Sequence, residues 1–211
     1  PLPADETPVA FPTLAEGTAS FLDLDTGASS TFGVRADQPG LYILESTGLL
    51  ATEGNVRSRV VTSFARESAN GSGRNFELRE YLREGDYQLT VTAQAPSAGR
   101  LGVQLRRTRV EDGGDLRLRL PARATLRGGE AVSYRFTITS PGEFRVRTLG
   151  LSRSFRCRLE DKDGWPLLPP GGPADVTRTF EPGLYRFVVL PEATDARAVT
   201  VSFGDSIRYW D

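Results

Sequence analysis

Asp37-Gln38-Pro39-Gly40-Leu41-Tyr42-Ile43-Leu44-Glu45-Ser46-Thr47-Gly48-Leu49 returns 102 positions later as Thr139-Ser140-Pro141-Gly142-Glu143-Phe144-Arg145-Val146-Arg147-Thr148-Leu149-Gly150-Leu151. Two further matches follow in the same order. Val56-Arg57-Ser58-Arg59-Val60 aligns with Phe155-Arg156-Cys157-Arg158-Leu159 at a spacing of 99. Gly85-Asp86-Tyr87-Gln88-Leu89-Thr90-Val91 aligns with Gly183-Leu184-Tyr185-Arg186-Phe187-Val188-Val189 at 98. A period of roughly 100 residues exceeds the units of about 20–50 that stack into solenoids. It suits a small domain enclosing its own core. The 211 residues therefore read as two copies of one module.

Within each copy the apolar residues recur every second position. Phe144, Val146 and Thr148 alternate with Arg145 and Arg147, and Tyr134, Phe136 and Ile138 with Arg135 and Thr137. That is the period of a strand with one buried face. Tyr185-Arg186-Phe187-Val188-Val189, Phe155-Arg156-Cys157-Arg158-Leu159 and Leu116-Arg117-Leu118-Arg119-Leu120 read the same way. Turn formers separate them: Pro39-Gly40, Asn70-Gly71-Ser72-Gly73, Gly113-Gly114, Pro141-Gly142, Asp163-Gly164 and Pro182-Gly183. No helical stripe interrupts the pattern. The fold class is all-β, as two tandem antiparallel β-sandwiches of jelly-roll or immunoglobulin-like type.

The repeat also sets the expected boundaries. Residues 1–16, with Pro1, Pro3, Pro8 and Pro12, read as an extended lead-in that can end as an edge strand. Residues 17–109 form the first module, 110–114 a hinge around Gly113-Gly114, and 115–211 the second module. The chain begins at Pro1 and contains no Met, so it is expected to be a fragment or a processed form of something longer.

Composition is that of a globular domain, with 38% hydrophobic and 25% charged residues. No apolar run approaches the ~18–20 residues of a membrane-spanning helix, and no membrane partner is expected. Twenty-five Arg against a single lysine, Lys162, reflects coding bias rather than function. One cysteine, Cys157, forms no internal disulfide and leaves the redox compartment open.

In each copy an aromatic strand leads to Pro-Gly-x-[Tyr/Phe], a further strand runs into a hairpin, and Gly-x-Tyr opens a last alternating run. Module two carries Tyr134-Arg135-Phe136, Pro141-Gly142-Glu143-Phe144, Arg158-Leu159-Glu160-Asp161-Lys162-Asp163-Gly164 and Glu181-Pro182-Gly183-Leu184-Tyr185. This resembles the bacterial pre-peptidase C-terminal domain, a β-sandwich appended to secreted peptidases and other exported enzymes. Module one departs from the pattern, since Glu84-Gly85-Asp86-Tyr87 lacks the proline and Phe64-Ala65-Arg66-Glu67-Ser68-Ala69-Asn70-Gly71 replaces the short acidic hairpin. The resemblance implies a secreted or periplasmic, non-catalytic accessory region beside other domains of a longer chain.

Apart from any family, Pro-Gly gives a tight turn and the aromatic two residues on begins an inward series. Tyr87 and Tyr185 are expected to bury their rings and to spend their hydroxyls on backbone, as in a tyrosine corner.

Catalytic chemistry has few footholds. With no His in the chain, Ser-His-Asp and Cys-His catalysis and histidine metal sites are excluded within these residues. No Gly-rich phosphate loop with its Lys occurs, and no cofactor is expected. Cys157 falls in the inward phase with Phe155 and Leu159, aligned with Ser58, and reads as a buried small residue. Asp161 and Asp163, in Asp161-Lys162-Asp163-Gly164, are weak metal candidates. They carry half of a calcium-loop pattern, without the later bidentate acid, and a plain hairpin suits them better. Glu111, Asp112 and Asp115 are a second weak group.

Charge divides unevenly. Residues 1–112 hold 11 basic and 15 acidic side chains, net −4, and residues 113–211 hold 15 and 12, net +3. Arg117, Arg119, Arg135, Arg145, Arg147, Arg156, Arg158 and Arg186 all take the outward phase. They read either as an arginine plate for an acidic polysaccharide or protein, or as a solvated face paired with Asp and Glu. Nucleic acid is disfavoured because stacking aromatics are missing from that phase. Trp165 and the terminal Tyr209-Trp210 can stack on a sugar or grip a protein partner, although Trp165 can equally cap the core. The expected binding set is therefore Arg145, Arg147, Arg156, Arg158, Trp165 and Trp210, all in module two.

Two functions fit. One is an accessory region that binds polysaccharide or protein, or assists secretion of a neighbouring catalytic domain. The other is a spacer or docking module without a small ligand.

Overall fold

Most of the alternating sequence becomes strand in a computed structural model that describes residues 10–62, 64–126, 130–149, 155–168, 172–173, 175–191 and 197–205. The chain divides into two units, Pro1–Arg107 and Thr108–Asp211. The first contains β1 (Thr13–Leu14), β2 (Ser20–Leu24), β3 (Ser29–Ala36), β4 (Gly40–Gly48), β5 (Thr52–Ser58), β6 (Ala65–Ser68), β7 (Glu77–Leu82), β8 (Gly85–Ala93) and β9 (Gly99–Thr108). The second contains β10 (Val110–Asp115), β11 (Ala122–Leu126), β12 (Ala131–Ile138), β13 (Gly142–Leu149), β14 (Phe155–Glu160), β15 (Gly172–Pro173), β16 (Asp175–Phe180), β17 (Gly183–Pro191) and β18 (Arg197–Asp205).

Sheet order is the same in both units. The first has β1-β3-β8-β5-β6 and β2-β9-β4-β7, and the second has β10-β12-β17-β14-β15 and β11-β18-β13-β16. Each β-sandwich closes over side chains from both of its sheets. Phe32, Val34, Leu89 and Val91 meet Tyr42, Leu44, Leu78 and Leu101 in the first core. Tyr134, Phe136, Phe187 and Val189 meet Val146, Phe180, Val201 and Phe203 in the second. Each such side chain contributes about 1.5–3 kcal/mol by leaving water. The second core is the more aromatic, with Phe136 only 4.8 Å from Phe203 and 5.5 Å from Phe180 between ring centroids.

Four expectations change. Residues 110–114 are no hinge: Val110–Asp115 is β10, which pairs in parallel with β12. Its two glycines mark a bulge between Asp112 and Gly114 rather than a linker. A Cβ on Gly113 would lie 2.3 Å from the Tyr134 ring, and Gly114 takes φ +78°. The lead-in likewise ends in β1, whose pairing with β3 is parallel, so neither β-sandwich is wholly antiparallel.

Leu116–Leu120 is not a strand. Arg117 and Leu120 bridge across a turn, Arg119 adopts φ +65°, and only Leu116 is buried. Finally, the spacing of 99 slips the repeat by four residues. Val56 pairs with Leu89 and Gly54 with Val91, while Leu159 pairs with Phe187 and Cys157 with Val189. Cys157 therefore corresponds to Gly54, not Ser58. An even slip preserves the alternation, which is why the pattern alone does not detect it.

Candidate functional site

Three aromatics that follow a turn glycine close the same hydrogen bond. The hydroxyl of Tyr42 donates to the Gln38 carbonyl at 2.9 Å, that of Tyr87 to Arg83 at 3.0 Å and that of Tyr185 to Glu181 at 2.8 Å. Each ring fills its unit while each hydroxyl holds the turn four residues back. Phe144, at the place of Tyr42 in the second unit, keeps the ring without the hydroxyl.

The arginines of the second unit fall on two sheets. β13 turns Arg145 and Arg147 outward, opposite Gly204 and Ser202 of β18, whose small side chains leave a cleft of about 150 Å³. Arg119 and Asp205 also line it, and they pair at 2.9 Å. Arg145 grips Asp175 with both Nε and Nη2, at 2.8 and 2.5 Å. That bidentate hydrogen bond, reinforced by the arginine charge, holds the Asp175 carboxyl below the usual carboxylate range.

Arg156 and Arg158 lie on β14, in the other sheet. Arg158 donates to Glu160 at 2.5 Å with side-chain exposures of 9% and 1%, and Arg186 approaches the second oxygen of Glu160 at 3.6 Å. Arg135, outward on β12, pairs with Asp115 at 3.1 Å and Asp112 at 3.4 Å. Arg145 and Arg147 thus come together, but Arg156 and Arg158 do not join them.

Trp165 is 59% exposed on the hairpin after β14 and does not line the cleft beside Arg145 and Arg147. Trp210 lies outside the described residues. The hairpin accounts for Asp161, whose Oδ1 accepts the N–H of Asp163 at 3.0 Å and of Trp165 at 2.9 Å, a local turn closed by a carboxylate. Asp163 faces Lys162 at 3.2 Å. Asp112 accepts the N–H of Gly114 at 2.9 Å. Among the described residues no three acidic, His or Cys side chains gather where one ion could bind them. Cys157 is fully buried, and burial, aided by the negative charge of Asp175, pushes its thiol up to about 12.

A second and more spacious cleft lies in the first unit, outside the residues that the sequence singles out. It encloses about 600 Å³ over the outward face of β1-β3-β8-β5-β6. Thr13, Gly33, Gln88 and Arg57 form one row across four paired strands. Arg35 and Asp86 are paired in the next row, and Arg59 follows just beyond β5. Gly33 is the low point of this floor, since even a Cβ there would come within 3.2 Å of the Thr13 hydroxyl. Arg57 donates from Nε to the Gln88 amide oxygen at 2.6 Å, while Arg35 pairs with Asp37 at 2.9 Å and Asp86 at 3.4 Å. The only sequence signal was the alternation of β3 and β8, Ser29-x-Thr31-x-Gly33-x-Arg35 and Asp86-x-Gln88-x-Thr90-x-Thr92, which gives one face made entirely of polar groups and glycine.

No family model matches the chain, and no curated protein does. Among solved structures it is similar to the pre-peptidase C-terminal domain of a collagenase from Bacillus anthracis, at 16% identity over 46% of this chain and 97% of that one, with a TM-score of 0.36. It is also similar to the PBSX exported protein XepA, at 10% identity over 90% and 88% of the two chains, with a TM-score of 0.33. A third similar structure is a putative secreted protein from Eubacterium rectale, at 8% identity over 83% and 68%, with a TM-score of 0.28.

Proposed function

We propose that this chain is a non-catalytic accessory region of a larger exported bacterial protein, a tandem β-sandwich that binds polysaccharide or protein outside the cytoplasm, beside a catalytic domain it serves. The observation that carries this reading is the outward face of β3, β8 and β5. Its hydroxyl, amide and guanidinium groups are held on paired strands around a cleft of about 600 Å³. Polar groups fixed on rigid strands recognise a ligand at low ordering cost. The turn motifs shared with pre-peptidase C-terminal domains supply the accessory and exported part of the reading.

A spacer or docking module is the alternative, and one observation favours it. Arg119, Arg135, Arg145 and Arg158 of the second unit each contact a carboxylate of their own chain. Arginines spent in this way cover a sheet without needing a partner.

Electrophoresis of the whole chain through native gels containing neutral or acidic polysaccharides separates the two. The accessory reading expects retardation by at least one class. Unchanged mobility in every gel, together with no retention on the neighbouring domains' substrate, leaves the spacer.

A further inference from the structure

We infer that the cleft over Gly33 is a subsite for an acidic oligosaccharide, a run of uronic acid residues. The inference rests on the accessory reading and names its ligand.

Charge is the first argument. The cleft is lined by Arg35, Arg57, Arg59 and Asp86, a surplus of two positive charges. It lies in the half of the chain whose net charge is −4, so composition does not explain it. Arg35 is engaged with Asp37 and Asp86, whereas Arg57 has only the neutral Gln88, and Arg59 has no partner among the described residues. Two guanidinium groups without a carboxylate, two residues apart on one strand and its extension, offer planar forks to the carboxylates of an acidic ligand.

Hydrogen-bond chemistry is the second. A guanidinium Nε–H can only donate, so the Gln88 atom facing Arg57 is its oxygen, which leaves the Gln88 NH₂ as a donor beside the arginine. Thr13 and Ser58 add hydroxyls that both donate and accept, and Asp86 accepts. Sugar hydroxyls need this mixture. Phe11 at the margin offers an apolar surface to a ring face. The volume lies within the ~300–1,000 Å³ of ligand sites. An acidic peptide is the poorer fit, because an extended peptide is captured by strand edges and this cleft lies over the sheet face.

The whole chain should be titrated calorimetrically with a tetragalacturonate, a neutral tetrasaccharide and a short poly-glutamate, at about 20 and about 150 mM salt. The tetragalacturonate is expected to bind and to weaken as salt rises. Arg57→Glu with Arg59→Glu is expected to weaken it by about tenfold or more. Both side chains are exposed, and an unchanged melting temperature verifies that the double variant folds. Undiminished binding in that variant overturns the site, as does loss in Arg145→Glu with Arg147→Glu instead. Poly-glutamate bound as tightly as the uronate overturns the saccharide. Equal binding of the neutral tetrasaccharide overturns the acidic specificity but leaves the accessory reading standing. No binding by any probe overturns the inference, while retardation by some other polysaccharide in the gels would still support the accessory reading.

Discussion

Gly33 beside Thr13 in the first unit and Arg135 beside Asp115 in the second occupy the same place on the same sheet, by identical pairing of β1 with β3 and of β10 with β12. Their neighbours differ in the same sense. Gln88 and Arg57 share a hydrogen bond across β8 and β5 in the first unit, and Arg186 and Glu160 form an ion pair across β17 and β14 in the second. One row is left open with uncompensated positive charge, and the other is closed by carboxylates. The fold was duplicated, but the surface chemistry was not. An identical topology therefore says nothing about which copy holds a site.

The interior equivalents Gly54 and Cys157 give the sharpest contrast. Cys157→Arg would place an unpaired charge at a fully buried position, a cost of about 3–5 kcal/mol. That rivals the ~5 kcal/mol of a marginal domain. Urea unfolding followed by circular dichroism should then show the second unit losing its transition while the first keeps its own. A single transition shifted as a whole would mean that the two units unfold as one. At Gly54 the obstacle is steric: a Cβ would sit 2.4 Å from the Phe76 ring. Gly54→Cys, which copies the second unit into the first, should cost about 1–3 kcal/mol by overpacking. A neutral result would show that Phe76 can step aside.

These positions also show what the sequence could reveal. The repeat, the strands and the corner tyrosines follow from periodicity and turn chemistry, which are local. The register of β5 and β14 does not, because sliding Val56 onto Phe155 instead of Leu159 keeps every apolar residue inward. Gly113-Gly114 reads as a linker until the Tyr134 ring, twenty-odd residues later, is seen to lie over it. Leu116-Arg117-Leu118-Arg119-Leu120 alternates like a strand, yet five residues also fit a turn with Arg119 at positive φ. The cleft was hidden for a different reason. Its floor is a missing side chain, and its wall comes from Thr13 on a strand of two residues. The arginines of the second unit drew attention by number, whereas Asp115 and Asp175, the partners of Arg135 and Arg145, sit on other strands.

Corner residues give a milder test. Tyr42→Phe reproduces Phe144 in the first unit and removes one hydroxyl-to-backbone bond. Chemical denaturation should register a loss of about 0.5–1.5 kcal/mol. No loss would mean that water replaces the hydroxyl without cost.

The smallest effect is expected at Arg145. Its pair with Asp175 is about one-third exposed on each side, so Arg145→Ala should cost less than about 1 kcal/mol at neutral pH. The Asp175 carboxyl titrates below its ordinary value in the folded chain. Its contribution is therefore present above the unfolded value near 3.9 and disappears as pH falls through the folded one. The gap between wild type and variant should close in acid. A gap that persists at low pH would trace to lost packing instead.

The claim that an open row at Gly33 separates the two units is tested most directly by writing the second unit's pair into the first. Thr13→Asp with Gly33→Arg should abolish tetragalacturonate binding in the calorimeter while the melting temperature stays near that of the wild type, since the new ion pair is exposed and adds little. Binding that survives in a folded double variant would contradict the account.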